Sequence, residues 1–274
     1  MLRSLVVYSM LSACLVAVAR ADEPAKAPIS PKEGVIQLFN GRDLSGWYTF
    51  LKDTKYEDPR KVFTVHDGLI HISGDGLGCI TTKAEYRDYR LVAEWKWGER
   101  TWGARTKAAK DSGILVHCTG ADGGYGGTWM TSIEAQIIQG GCGDFVMVAG
   151  NNPDGTPAKL SITAEITKDR DGETVWHKGG ERMTFSKGRV NWYGRDPDWK
   201  DEIGFRGPQE VEKPDGEWNR MEVICDGNRI QVLVNGVLVN ECSDAVPSAG
   251  KIIVQTELAE IYFRKLELQP LKKE

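Results

Sequence analysis

The sequence predicts an all-β protein, because alternating apolar residues and turn residues dominate it while helical periodicity is nearly absent. Short apolar segments with a period of two recur along the 274 residues. Clusters of Gly, Asn and Asp separate these segments, and the chain contains 31 glycines. Such a pattern is typical of an antiparallel β-sandwich or a barrel. About 230 residues without an obvious linker fit a single large two-sheet sandwich.

The N-terminus has the features of a secretory signal peptide over residues 1–21. Arg3 supplies a positive charge, an apolar segment covers residues 5–19, and Ala19-Arg20-Ala21 forms a small-x-small cleavage site. The apolar segment is too short for a comfortable membrane span. An alternative is a lipobox at residues 11–14, which would lipidate Cys14, but the apolar segment continues beyond that cysteine. We expect a secreted or periplasmic protein without a membrane span.

Residues 22–33 are rich in Pro, Lys and acidic residues, and we expect a flexible leader there. The formal net charge of −4 provides no basic field for binding nucleic acid. Five cysteines remain after residue 21, without CxxC spacing, and are expected to be buried thiols, with one disulfide as the alternative. We expect no metal motif and no cofactor, although the Asp-rich loops at 151–155 and 169–171 leave Ca²⁺ open.

The predicted strands follow one another along the chain. A hairpin joins residues 62–65 and 68–73, and Asn235-Gly236 is a strong two-residue hairpin signal. In the segment 89–97, Leu91, Ala93, Trp95 and Trp97 share one face. The other predicted strands are residues 113–118, 132–138, 160–166, 221–225, 230–234, 251–256 and 260–268. Between Gly140 and Gly216 the strand signal is weaker, and long loops in a compact domain are usually functional, so we expect these loops to wall a binding site.

Five segments of the chain, in order, resemble the 3-keto-disaccharide hydrolase (DUF1080) domain family. These segments are LFNGRDLSGW (38–47), DSGILVH (111–117), SIEAQII (132–138), GEWNRMEVICDGNRIQVLVNGVLV (216–239) and KIIVQTELAEIYFRKLELQPL (251–271). The resemblance implies one concanavalin- and laminin-G-like jelly-roll domain over residues 34–272, with long loops over its concave face. It also implies a secreted bacterial enzyme that acts on glycosides oxidised at sugar C3.

The sequence departs from the family pattern at several positions. His117 stands where the family often has Arg, and Asp111 where Asn is common. Thr256 and Leu258 replace Ser and Gly. The substrate pocket could therefore differ from that of other members.

The best candidate for catalysis is Glu134, together with Gln136. Alternation along residues 132–138 places both side chains on one face, about 7 Å apart, opposite the apolar Ile133, Ala135 and Ile137. In a jelly roll the polar face of such a strand lines the concave groove. The alternative is an ordinary solvated strand face.

Two other strands offer further candidates. His117 is predicted to share its face with Leu115, and the alternative is a hydrogen-bonded structural histidine. Glu257 shares a face with Gln255 and is a candidate second acid. Asp111 is a candidate substrate-binding residue.

Loop aromatics are candidate sugar contacts, because flat rings bury a large area at low entropic cost. Four tryptophans lie outside clean strand patterns: Trp102, Trp129, Trp192 and Trp199. Arg195 belongs to a polar and aromatic cluster with Trp199 and is a further candidate substrate-binding residue. The alternative for each ring is packing beneath a loop.

The neighbour of Glu134 on its own strand is Gln136, so this strand lacks the carboxylate pair of a conventional retaining glycosidase. A 3-keto sugar allows a different route, because the ketone acidifies the hydrogen on C2. Glu134 is then the base, Gln136 or His117 the oxyanion donor, and Glu257 the acid for the leaving oxygen. Two other functions remain open: a non-catalytic carbohydrate-binding module and an ordinary glycoside hydrolase.

Overall fold

The computed structural model describes residues 27–272, and it consists almost entirely of β-strands. The predicted signal peptide and Cys14 lie outside these residues. One short 3₁₀ helix covers Gly103–Thr106. No helix within residues 27–272 has the length and apolar character needed to cross a membrane.

Eighteen strands form the domain. They are β1 Ile36–Gln37, β2 Trp47–Leu51, β3 Phe63–His66, β4 Leu69–Ile72, β5 Leu77–Thr82, β6 Tyr89–Thr101, β7 Asp111–Thr119, β8 Thr131–Ile138, β9 Phe145–Val148, β10 Ser161–Lys168, β11 Thr174–Trp176, β12 Glu181–Phe185, β13 Gly188–Val190, β14 Asn219–Asp226, β15 Arg229–Val234, β16 Val237–Val246, β17 Lys251–Glu257 and β18 Ala259–Gln269.

These strands build two antiparallel sheets, which confirms the predicted all-β sandwich of the jelly-roll type. The larger sheet has eleven strands in the order β11-β10-β16-β15-β14-β6-β18-β4-β3, with β1 paired to β18 and β12 to β10. The smaller sheet has seven strands in the order β13-β9-β8-β7-β17-β5-β2. Several strands that are neighbours in a sheet, such as β7 and β17, are far apart in the sequence. The site is therefore held together by long-range pairings.

Both predicted hairpins form because their turn residues accept positive φ angles. Asp67 and Gly68 connect β3 to β4 with φ of 52° and 74°. Asn235 and Gly236 connect β15 to β16 with φ of 50° and 85°. A turn with two left-handed residues matches the twist of the flanking strands.

The core between the sheets is built from the faces that alternation predicts. Leu91, Ala93 and Trp95 of β6 are fully buried in it. From the smaller sheet, Ile133, Ala135 and Ile137 enter the same core. The alternate residues of β8, including Glu134 and Gln136, therefore point to the opposite side of the smaller sheet, which we call the site face.

Between residues 140 and 216 the structure contains the predicted strand β10 and four short strands that the sequence did not predict: β9, β11, β12 and β13. Strands β10, β11 and β12 lie at one edge of the larger sheet, and β9 and β13 lie at one edge of the smaller sheet. Residues 191–218 contain no strand and run past the end of β8, where the indole N–H of Trp199 donates to the carbonyl of Gln139 at 2.9 Å.

Within residues 22–33, where we expect a flexible leader, Ile29 and Ser30 form hydrogen bonds to the rest of the domain. The N–H of Ile29 donates to the carbonyl of Glu85 at 2.8 Å, and its carbonyl accepts from Arg87 at 3.0 Å. The hydroxyl of Ser30 donates to the carbonyl of Asp88. These backbone bonds fix the segment to the loop before β6, which the composition of the segment does not reveal.

All cysteines of the described chain are free and buried, in agreement with the expectation of buried thiols. They are Cys79, Cys118, Cys142, Cys225 and Cys242. Burial raises the pKa of Cys79 and of Cys225 to about 12, so neither is a reactive thiolate near neutral pH.

Candidate active site

Three neighbouring strands of the smaller sheet bring the polar side chains of the site face together. In the register, Gly113 of β7 lies opposite Gln136 of β8, and the pairing of β17 with β7 continues that row to Gln255. A Cβ at position 113 would overlap Oε1 of Glu134 and Oε1 of Gln255. The glycine of the DSGILVH segment is therefore required, because two side chains from flanking strands converge over it.

Three carboxyl groups gather around this point: Asp111 at the start of β7, Glu134 in β8 and Glu257 at the end of β17. Asp111 is 3% exposed and Glu134 is 5% exposed, while Glu257 is partly buried. No ion pair joins Glu134 or Glu257 to a basic side chain within residues 27–272. Carboxyl groups that are buried beside one another cannot all be ionised at low cost.

Burial raises the pKa of all three carboxyl groups. Burial, and then the charge of Asp111, raises the pKa of Glu134 well above its usual value, while an amide hydrogen bond from Gln255 favours the ionised form. Burial, then the charges of Asp111 and Glu134, raises the pKa of Glu257 well above its usual value. The side-chain interaction of Glu257 with Asp111 also favours the protonated form of Glu257. Burial and the neighbouring charges therefore favour the protonated form of both Glu134 and Glu257.

Arg105 is the counter-ion of this cluster and was missed by sequence reasoning. Its Nη2 donates to Oδ2 of Asp111, and its Nη1 donates to Oδ1 of Asp201 and to the carbonyl of Ala109, both at 2.9 Å. Burial raises the pKa of Asp111, and the Arg105 guanidinium opposes that rise. Arg105 lies in the 3₁₀ helix just before β7, and nothing in its local sequence marks it.

Arg189 of β13 is the second cation that sequence reasoning missed. It pairs with the buried Asp144 at 3.2 Å, and its charge lowers the pKa of Glu134 and of Asp111. Arg189 lies on an edge strand that is more than fifty positions from Glu134 and Asp111 in the chain.

Several buried acceptor atoms at this place have no hydrogen-bond partner. They are Oδ1 of Asp111, Oε1 of Gln136 and Oε1 of Gln255. Buried acceptors are normally satisfied, and three orphaned ones at one place mark a position where a ligand can donate hydrogen bonds. Hydroxyl groups of a sugar are donors of the required kind.

His117 does not join this cluster, so the prediction of its face is wrong. The residue has φ of 55°, and the register of β7 shifts between Val116 and Thr119. The imidazole packs edge-on against Tyr89 of the larger sheet at 6.3 Å, and Nδ1 contacts the carbonyl of Pro247 at 2.9 Å. The bulge reverses the alternation, so the ring enters the region between the sheets.

Trp192 is also misassigned as a candidate sugar contact. It is 1% exposed and belongs to the main core, where its N–H donates to the carbonyl of Gly140. Arg195 is buried as well and is paired at 2.5 Å with the fully buried Asp144, so its charge is neutralised by that carboxylate. The two residues stabilise the loop rather than line an open surface.

The other three tryptophans keep some exposure. Trp199 stacks on the guanidinium of Arg195 at 4.2 Å. Trp102 is 37% exposed, and its backbone N–H donates to the carbonyl of Leu258, next to Glu257. Trp129 lies on the site face, where it packs against an apolar cluster that includes Phe50, Leu115 and Ile253.

The described residues contain no group of three or more His, Cys, Asp or Glu arranged to hold a metal ion. In the two Asp-rich loops, Asp154 and Asp169 accept hydrogen bonds from residues of their own turn. Asp154 accepts from the backbone and hydroxyl of Thr156, and Asp169 accepts from the backbone N–H groups of Asp171 and Glu173. Such turns need no ion to hold their shape.

Two surface cavities lie elsewhere, on the outer side of the larger sheet. One of about 500 Å³ is lined by residues that include Arg90, Asp226 and Gln231. Another of about 400 Å³ contains Glu260, whose carboxylate accepts from Tyr262 and from the backbone N–H groups of Glu99 and Arg100. Neither contains a group of convergent acids, so the carboxyl cluster remains the better candidate site.

The two-sheet fold is that of carbohydrate-active, glycosyl hydrolase-like jelly-roll proteins. Residues 34–269 match the family model of the 3-keto-α-glucoside-1,2-lyase-like domain. The chain belongs to this family. A comparison with functionally curated protein sequences found no match.

Several solved structures are similar to this one. One is a Parabacteroides distasonis protein described as a glycosyl hydrolase, with 20% identity, a TM-score of 0.50, and coverage of 88% of this chain and 95% of that chain. A second such protein of that organism has 19% identity, a TM-score of 0.47, and coverage of 86% and 99%. A Bacillus subtilis carbohydrate-binding module has 11% identity, a TM-score of 0.44, and coverage of 88% and 99%.

Proposed function

We propose that this protein cleaves 3-keto-glycosides by proton abstraction and elimination, with hydration of the product where the outcome is hydrolysis. The observation that carries the proposal is a set of three carboxyl groups beside orphaned acceptors on the site face: the buried Asp111 and Glu134, and the partly buried Glu257. Neighbouring carboxyl groups in a buried site do not all ionise together, so such a site can supply both an acid and a base. Membership in the family supports the substrate class.

Glu134 is the base in this mechanism. The amide of Gln255 and the charge of Arg189 favour its ionised form, while burial makes the carboxylate a stronger base than a solvated one. It removes the proton from C2 of the oxidised ring, and the electron pair of the C2–H bond moves into an enediolate with the oxygen on C3. The side chain of Gln136, which belongs to the same strand face, supplies an N–H donor for that oxygen.

Glu257 is the acid. Its pKa is raised by burial and by the charge of Asp111, which is paired with Arg105. When the enediolate collapses, the C1–O bond breaks, a double bond forms between C1 and C2, and the leaving oxygen takes the proton of Glu257. Water can then add across the new double bond, with its hydroxyl on C1 and its proton on C2, to give the free 3-keto sugar.

The test is an assay of paired substrates. Nitrophenyl 3-keto-α-glucoside and its unoxidised parent are supplied separately, and release of nitrophenol is followed against the rate without protein. We expect release from the oxidised substrate only. Glu134→Gln should lower the rate about 10²- to 10⁴-fold, as expected for loss of a general base. Glu181→Gln, on an exposed face of β12, is the matched control.

Other outcomes would favour other functions. Equal turnover of the unoxidised parent would point to an ordinary glycoside hydrolase. Binding of saccharide without turnover, unchanged in Glu134→Gln but lost in Trp129→Ala, would point to a carbohydrate-binding module. Full activity of the Glu134→Gln variant would show that Glu134 is not the base.

A further inference from the structure

The site face continues beyond the carboxyl groups into an aromatic half. Phe50 of β2 is buried there, and Tyr56 packs edge-on against it with ring centres 5.2 Å apart. Trp129 packs on the same apolar cluster, and Tyr125 stacks on Trp129 with an angle of 28° between the rings. Tyr56 is 58% exposed and Tyr125 is 43% exposed. Large aromatic surface exposed beside a polar cluster is typical of a ligand-binding surface.

Hydrogen bonds within the protein hold these rings in place. The carboxylate of Asp122 accepts from the hydroxyls of Tyr48 and Tyr56, at 2.8 and 2.9 Å. The indole N–H of Trp129 donates to the carbonyl of Gly78 at 3.3 Å, and the backbone of Tyr125 pairs with that of Trp129. A binding surface fixed in advance loses little entropy when a ligand arrives.

The order of the strands determines which of the two glutamates, Glu134 or Glu257, lies nearer to the aromatic half of the site face. Glu134 lies on β8 and Glu257 on β17, with β7 between them, so their backbones are about 10 Å apart at the usual strand spacing. Next comes β5, whose Gly78 is paired with Thr256, the neighbour of Glu257, and is the hydrogen-bond partner of Trp129. The acid is therefore the carboxyl group adjacent to the aromatic half, and the base is the one farther away.

We propose that the exposed rings of Tyr56, Tyr125 and Trp129 form a subsite for the leaving-group sugar, so that the substrate lies across the strands with its oxidised ring over β8 and β7. This inference rests on the proposed function, because the acid must stand next to the leaving oxygen. A pyranose ring fits the chemistry of the surface, since its C–H face packs on aromatic rings. Sugar hydroxyls at its rim can donate to the carboxylate of Asp122.

The test compares two substrates that differ only in the leaving group: a 3-keto-disaccharide, which releases a sugar, and methyl 3-keto-glucoside, which releases methanol. Tyr125→Ala should lower kcat/KM for the disaccharide about tenfold and leave that for the methyl glycoside within about twofold. Tyr125→Phe keeps the ring and should retain the preference. Tyr193→Ala removes an exposed tyrosine that packs on Trp192, and it serves as the control.

Equal effects of Tyr125→Ala on both substrates, or no effect on either, would overturn the subsite. A separate measurement, calorimetric binding of the unoxidised disaccharide, distinguishes failure of the subsite from failure of the chemistry. If the wild type cleaves neither substrate but Tyr125→Ala weakens disaccharide binding, the surface is a saccharide site and the proposed reaction is wrong. If neither cleavage nor binding responds to the variant, the subsite is wrong.

Discussion

Replacing Glu134 by Gln is expected to stabilise the protein while it removes activity. Gln has nearly the same shape as Glu but carries no charge, and Glu134 shares a buried site with Asp111 and Glu257. The pKa of Glu134 is raised well above 4.5 in the folded protein by burial and by the charge of Asp111. The folded state therefore holds this proton more tightly than the unfolded state does.

The size of the effect follows from the difference between the folded and unfolded pKa values of Glu134. Stability is lost as the pH rises from 4.5 towards the folded pKa, by about 1.4 kcal/mol for each pH unit in that interval. One kcal/mol moves the melting temperature of a domain of this size by roughly 2–4 °C. Glu134→Gln should therefore melt several degrees above the wild type at pH 8 and close to it at pH 4.

Urea unfolding and thermal melting, both followed by tryptophan fluorescence at pH 4, 6 and 8, measure this difference. Glu181→Gln is the control, because that carboxylate is exposed and should change stability little at any pH. A loss of stability at pH 8 in Glu134→Gln would refute the reasoning. It would mean that contacts in the folded protein stabilise the ionised form of Glu134, whereas the account has burial and neighbouring acids destabilising that form.

Further outcomes follow from other buried groups. Burial raises the pKa of Glu212 to about 8, so the wild type should lose up to about 5 kcal/mol between pH 4.5 and 8. Gln at position 212 can still accept the hydrogen bond from Trp97, so Glu212→Gln should make the free energy of unfolding in urea less dependent on pH. An unchanged pH dependence would contradict the raised pKa of Glu212. Burial lowers the pKa of His117 to about 4, so about 3 kcal/mol should be lost as the pH falls from 6.5 to 4. His117→Asn should remove this loss of stability at low pH and keep turnover within about threefold. A hundredfold slower reaction would show that His117 takes part in catalysis. Trp192→Ala should cost about 3–5 kcal/mol in urea unfolding, and a small cost would contradict its core position.

Alternation predicted the sheet faces well wherever strands were regular. Residues 132–138 show this most clearly, because Ile133, Ala135 and Ile137 enter the core and leave Glu134 on the other face. The same reasoning failed at His117, where a bulge in β7 reverses the side chain. A period-two pattern contains no information about an inserted residue, since a shift by one position moves every later side chain to the opposite face.

The environment of the acids could not be predicted from sequence, because it depends on residues far apart in the chain. Arg105 and Arg189 approach Asp111 and Glu134 from a short helix and an edge strand. Trp192 occurs in a segment rich in turn residues, which suggested exposure, but the segment itself packs onto the end of the sandwich. Turn chemistry indicates where the chain bends and does not indicate which bends are covered.

The fate of the hydrogen on C2 tests the proposed mechanism most directly. A 3-keto-glucoside carrying deuterium at C2 is incubated with the protein in ordinary water, and the released sugar is analysed early by mass spectrometry. Removal of the C2 proton by Glu134 predicts a slower reaction than with the unlabelled substrate and loss of the deuterium from the sugar product. Cleavage at an equal rate, with the deuterium retained, would contradict proton abstraction and the role of Glu134 as the base.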